Sequence, residues 1–190
     1  MDSFLKSIRI SLAVFLTIAL MYLLLVWIIG LFVSPGGGSF EKVSLNGKIV
    51  GAANVGQNFS DDIYFWGHPS NAGKDGYDAT RSGGSNKSVG NKEYLQTVES
   101  RIELFLLHHP YLRKEQVPSE MVTGSGSGLD PDISPVAASV QVKRVAAARG
   151  MDETAVMELV EKCTERPLLG LFGPARVNVL QLNCALDGLN

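Results

Sequence analysis

Cys163 and Cys184 are the only thiols in this chain, too few for a disulfide framework, and neither lies in the C-x-x-C spacing of a redox or zinc site. One disulfide or two separate buried thiols both remain compatible with that count. Basic residues are not gathered into blocks, and the formal charge is −2, so the clustered positive face needed to bind nucleic acid is missing. No Gly-Lys-Ser/Thr ends a phosphate loop, and no G-x-G-x-x-G joins a strand to a helix. Internal repeats and acidic or basic tails are also absent.

Charge is missing altogether from Ile10 to Val33, a run long enough at helical rise to cross the roughly 30 Å apolar core of a bilayer. A secretory leader has an apolar region of only about 7 to 15 residues and a small-x-small cleavage site. The run therefore predicts a permanent transmembrane helix in contact with lipid. Lys6 and Arg9 precede it and no charge lies between Val33 and Glu41, which favours a cytoplasmic N-terminus. This divides the chain into a cytoplasmic tail (1–9), a membrane helix (10–33), a flexible Ser/Pro/Gly linker (34–41) and one extracytoplasmic domain (42–190). The last is of ordinary single-domain size.

Within that domain, Asn46-Gly47 predicts a β-hairpin over Val43 to Val55. Ile63, Tyr64, Phe65 and Trp66 predict a partly buried strand between Asp61 and Pro69, with core packing the simplest role for the aromatics. The 67–90 segment is polar, glycine-rich and too long for a routine connection, which marks it as a functional or mobile surface loop. Leu95, Val98, Ile102, Phe105 and Leu106 recur at helical spacing, predicting a helix over Asn91 to His109. Adjacent His108 and His109 diverge on such a helix and make a poor metal pair. A short strand is expected at Met121 to Thr123, a helix at Met151 to Glu165 capped by Asp152, and a strand at Val177 to Leu182.

Thr123 to Gly150 is the most explicit stretch. Gly124, Gly126 and Gly128 alternate with Ser125 and Ser127, allowing positive φ and exposed N–H groups that grip an anion or a neighbouring backbone. Asp130 and Pro131 extend this structural turn. Ser134 is placed to cap a helix, Pro135 suits its first turn and Gly150 its end, so one helix is expected from Pro135 to Arg149. Asp130 and Asp132 would repel phosphate at its N-terminus. The elements together predict an α/β domain, with α+β the alternative.

Ser125-Gly126-Ser127-Gly128-Leu129-Asp130-Pro131, then Gln141 with Arg144-Val145-Ala146 and Ala148-Arg149-Gly150, then Arg176-Val177-Asn178-Val179-Leu180 with Leu182-Asn183, resemble the KdpC family, the C subunits of the ATP-driven potassium transporter Kdp. Gly56-Gln57 with Phe59, Tyr64-Phe65-Trp66-Gly67 with Pro69-Ser70, Ser82-Gly83-Gly84-Ser85-Asn86 and Val117-Pro118 agree in the same order. His68, Asp132 and Cys184 depart from the family pattern, where arginine, histidine and an aliphatic residue are usual.

The resemblance implies an accessory subunit of a high-affinity potassium uptake complex, needed for assembly or stability and for activity of the pump. It implies a KdpB-like P-type ATPase subunit, a KdpA-like channel subunit and a small KdpF-like subunit as partners, with ATP, Mg and K belonging to the complex. No cofactor or metal is expected on this chain, and no catalytic residue, since the Asp-Lys-Thr-Gly-Thr phosphorylation motif is missing. The family has also been described as a catalytic chaperone that raises ATP affinity in a ternary complex, which nominates Ser125, Ser127, Gln141 and Arg144 as ATP contacts. A more distant class is an envelope serine hydrolase using Ser125 or Ser127 with His68 or His109 and Asp130, although no convincing nucleophile elbow is present.

Overall fold

The structure is a computed structural model that describes residues 2–188. It divides into two compact units, one ending at Glu41 and one beginning at Lys42.

The first unit is a single helix, α1 (Asp2–Val33), followed by a 3₁₀ turn at Pro35–Gly38. The turn occupies the segment expected to be a flexible linker, and Gly37 and Gly38 supply its positive φ angles of 64° and 82°. From Ser3 to Val33 the helix is long and apolar enough to cross a membrane. Its only hydroxyl within the apolar run besides Ser11 and Tyr22 is Thr17, whose Oγ1 donates to Ala13 O at 2.8 Å and so stays satisfied within the helix.

Among the described residues, the second unit combines five α-helices with two small antiparallel sheets. β1 (Lys42–Leu45) and β2 (Lys48–Ala52) form the expected hairpin. Asn46 and Gly47 both take positive φ, 51° and 77°, as a two-residue hairpin turn of the primed type demands. The other sheet has strand order β3 (Asp132–Ile133), β5 (Arg176–Asn178), β4 (Thr164–Glu165), with Ile133 and Thr164 both opposite Val177. All strand pairs are antiparallel, which puts the domain on the α+β side of the mixed class.

α2 (Lys92–His108) starts where expected, with Asn91 Oδ1 accepting from the Tyr94 N–H. α5 (Glu153–Lys162) is likewise capped by Asp152, which accepts from the Thr154 N–H at 2.8 Å. The helix expected over Pro135 to Arg149 is instead two, α3 (Pro135–Ser139) and α4 (Val142–Arg149). Ser134 caps the first, and Gly150, at φ 66°, ends the second. The break has a local cause: the Gln141 side chain donates to Ala137 O, and the Gln141 N–H turns to Ala138 O, tightening the turn there.

Three expected strands also change. Met121 ends a 3₁₀ turn, Ser119–Met121, in place of a strand. Past Asn178 the chain enters α6 (Val179–Asp187), because Asn178 Oδ1 accepts from the Gln181 N–H and caps a helix whose Val179, Leu182 and Leu186 point inward at three- and four-residue spacing. The 61–69 segment forms no strand, although Phe65 is fully buried. The core gathers Phe65, Phe105, Ile133, Val145, Val156, Val160, Val177, Leu182 and Leu186 around it.

Candidate functional site

The 61–69 segment is held by side chains in place of a neighbouring strand. Asn183 of α6 accepts from the Phe65 N–H at 2.8 Å and returns a bond to Phe65 O at 3.0 Å. Gln141, fully buried between α3 and α4, does the same for the next residue, accepting from the Trp66 N–H at 2.8 Å and donating to Trp66 O at 3.2 Å. Two primary amides thus reproduce the donor and acceptor pattern of a β partner for consecutive residues.

Arg144, 5% exposed, completes the clamp from α4. Its guanidinium donates to Asp62 O at 2.6 Å, Tyr64 O at 3.0 Å, Gln141 Oε1 at 2.8 Å and His109 Nε2 at 3.0 Å. It also lies 4.2 Å from the centre of the Trp66 ring and 3.6 Å from the Asp62 carboxylate. Burial lowers its pKa to about 10, which still leaves it charged at neutral pH. Burial likewise pushes the His109 imidazole down to about 4. A little further along, Arg149 donates to Ile63 O and to Asp187, which also accepts from the Tyr64 hydroxyl.

The glycine turn grips backbone. Ser127 O accepts from the Gly83 N–H at 2.8 Å and from Ser82 Oγ at 3.0 Å, while Leu129 O accepts from the Gly56 N–H at 2.8 Å. Ser70 Oγ donates to Gly128 O at 2.5 Å and accepts from the N–H groups of Ala72 and Tyr77. The 67–90 loop is therefore built onto the turn along much of its length. Of the three glycines, only Gly128 has the expected positive φ, 69°. A β-carbon there would lie 2.7 Å from Gly83 O, and one on Gly124 would lie 2.1 Å from Asn71 Nδ2, whereas Gly126 has open space. Close approach, not φ, is what Gly124 provides.

Between the 58–77 stretch and α2 lies a cleft of about 480 Å³, with Trp66, His68 and Tyr77 on one side and Arg101, Phe105 and His108 on the other. His68 Nε2 sits 3.8 Å from Glu120 and 3.9 Å from Asp130, and its Nδ1 is buried without a partner. Glu120 also accepts from the Ser134 hydroxyl and N–H, which ties the cleft wall to the start of α3. His108 pairs with Asp62 at 2.8 Å, and the same carboxylate lies 3.6 Å from Arg144.

The four residues nominated as ATP contacts fall into two settings. Gln141 and Arg144 are buried side by side and saturated by the clamp, whereas Ser125 and Ser127 belong to the glycine turn. Ser125 Oγ is buried without a partner, and Ser127 Oγ accepts from the Leu129 N–H, so neither bonds to a histidine. Asp130 turns to the Asp132 N–H, and Asp132 pairs with Arg176 at 3.1 Å. Burial raises the Asp132 pKa while Arg176 opposes it. Cys163 and Cys184 are separate free thiols, each half-buried, with pKa raised by burial. Leu182-Asn183 stands among the motifs that carry the family resemblance, but no local pattern marks Asn183 or His109 for the clamp; the signal for Asn183 is a polar residue among the apolar positions of α6.

The arrangement of clamp, glycine turn and cleft spans nearly the whole domain, and so does its similarity to known proteins. The family model for KdpC, the c chain of the K+-transporting ATPase, matches residues 4–188. The chain belongs to the KdpC family. It is 58% identical over 187 residues to the potassium-transporting ATPase KdpC subunit of Phocaeicola vulgatus, covering 98% of each chain. It is 57% identical over 189 residues to that of Bacteroides fragilis, covering 100% of this chain and 98% of the relative. The subunit of Flavobacterium psychrophilum is 44% identical over the full length of both.

Proposed function

We propose that this chain is a non-hydrolysing accessory subunit of a potassium-transporting ATPase, anchored by α1 with its domain outside the cytoplasm, and that it acts on the pump through protein contacts. Its partners on this reading are a KdpB-like ATPase subunit, a KdpA-like channel subunit and a small KdpF-like subunit. The observation that carries the proposal is the state of Gln141 and Arg144: both side chains are buried and engaged by Tyr64, Trp66, His109 and Asp62. An ATP contact there would have to break several buried hydrogen bonds, each costly to leave unmade. The clamp instead shapes a domain that presents a surface.

Purification in mild detergent with the native membrane partners tests the assignment. Co-purification of a P-type ATPase and a channel-like subunit, with potassium-stimulated hydrolysis dependent on this chain, is expected. A chain that isolates alone from membranes expressing the pump overturns it. For the topology, a reporter active only after export and fused after residue 190 is expected to be active.

A further inference from the structure

The 166–175 segment, between β4 and β5, projects Leu168, Leu169, Leu171 and Phe172 with 63% to 82% of their surface exposed. Such a cluster at the end of a hairpin is unusual on a surface otherwise rich in polar residues. The projection is built, not loose. Leu168 and Phe172 exchange backbone hydrogen bonds of 3.0 Å, the Gly170 N–H donates to Pro167 O, and the Leu171 N–H donates to Leu168 O. Leu169, at φ 54°, is held in the left-handed region that leucine avoids.

We infer that this tip rests in the interfacial layer of a lipid bilayer, as a second membrane contact beside the anchor. Three observations favour lipid over a protein surface. First, the tip pairs its own backbone: Leu168, Gly170, Leu171 and Phe172 donate internally and Pro167 and Pro174 have no N–H, which lowers the cost of leaving water where no protein group waits to pair. Second, the tip carries a basic residue and no acidic one. Arg166 opens the tip with no ion pair to a carboxylate among the described residues, whereas Arg176 at its other end is neutralised by Glu165 and Asp132, and no carboxylate occurs from 166 to 175, so Arg166 is the cation offered to anionic headgroups. Third, the chain carries its own anchor. Residues 34–41 form the tether, whose extended reach is about 28 Å, so the domain always works close to a bilayer surface.

The inference requires α1 to be anchored but does not depend on the pump assignment. To test it, the full chain carrying Cys163→Ser, Cys184→Ser and Leu171→Cys is labelled with an environment-sensitive fluorophore and reconstituted in phosphatidylethanolamine/phosphatidylglycerol vesicles. Val89→Cys, at a position 93% exposed, serves as the aqueous control. Resistance of the reconstituted chain to carbonate extraction confirms the anchor independently. The Leu171 label is expected to emit to the blue of the Val89 label and to be quenched by lipids brominated near the headgroup. Adding Leu169→Asp and Arg166→Glu to the Leu171-labelled chain should return its emission to that of the control. An anchored chain whose two labels behave alike overturns the inference. So does a blue shift that appears only with the other pump subunits and without bromine quenching, which would make the tip a protein contact.

Discussion

Arg144 Nε donates to His109 Nε2 across 3.0 Å, and this one bond fixes the state of the histidine. A guanidinium has no lone pair to offer, so Nε2 must accept and the ring proton sits on Nδ1, where it donates to Phe105 O at 2.7 Å. A second proton would have to displace the arginine.

Stability should therefore fall in mild acid. With His109 depressed to about 4 in the fold against 6.5 unfolded, the unfolded chain binds more protons between those values, so stability rises with pH across that window and the stabilisation from a neutral His109 is complete above about 6.5. The loss on acidification amounts to about 3 kcal/mol at most, at 1.36 kcal/mol per unit. Denaturant titrations at pH 7 and pH 5 are expected to show this slope, and His109→Gln, which cannot titrate, should flatten it. An unchanged slope in the variant would remove His109 as its source.

Arg144→Lys should not be tolerated as a conservative change. An ammonium cannot reach Asp62 O, Tyr64 O, Gln141 and His109 together from one planar fork, and it gives up the guanidinium packing on Trp66. A loss of about 3 to 5 kcal/mol is expected, in the range for breaking a buried charged network. Thermal unfolding of the purified chain measures it, with near-ultraviolet circular dichroism reporting the Trp66 environment.

The glycine turn offers a paired comparison. Gly128→Ala meets both the positive φ and Gly83 O at 2.7 Å, and should destabilise the domain by at least about 1 to 3 kcal/mol. Gly126→Ala meets neither and should be close to neutral. Equal effects from the two in a melting experiment would count against the turn geometry.

ATP titration separates the proposed accessory role from nucleotide binding. Calorimetry on the full chain in detergent with Mg-ATP is expected to show no saturable micromolar binding. Saturable binding that disappears in Ser127→Ala, whose side chain lies outside the buried clamp, would overturn the protein-contact reading.

Local signals were written plainly in the sequence and long-range ones were not. Asn46-Gly47, Ser134, Asp152 and Gly150 act through neighbours a few residues away, and each turns or caps the chain where its chemistry says it should. The 61–69 segment reads as a strand because its aromatics want burial, yet its backbone partners are the Gln141 and Asn183 amides, and nothing near residue 65 specifies them. At 177–182 the alternation of apolar residues concealed a helix: the cap at Asn178 decides the outcome, and the same residues satisfy either period over so short a run. The glycine turn was legible as a gripping backbone, but not that Gly124 is there for Asn71, nor that the 67–90 loop is what it grips.

The amide pair also sets an order of events during synthesis. Phe65 waits 118 residues for Asn183, and Trp66 waits 75 for Gln141, so the centre of the domain cannot close until α6 exists. Loop closure over such separations is slow compared with local helix formation. A nascent chain emerging N-terminus first therefore holds its aromatic segment open until α6 is delivered, and a truncation that removes α6 takes Leu182 and Leu186 from the core together with the amide that holds Phe65.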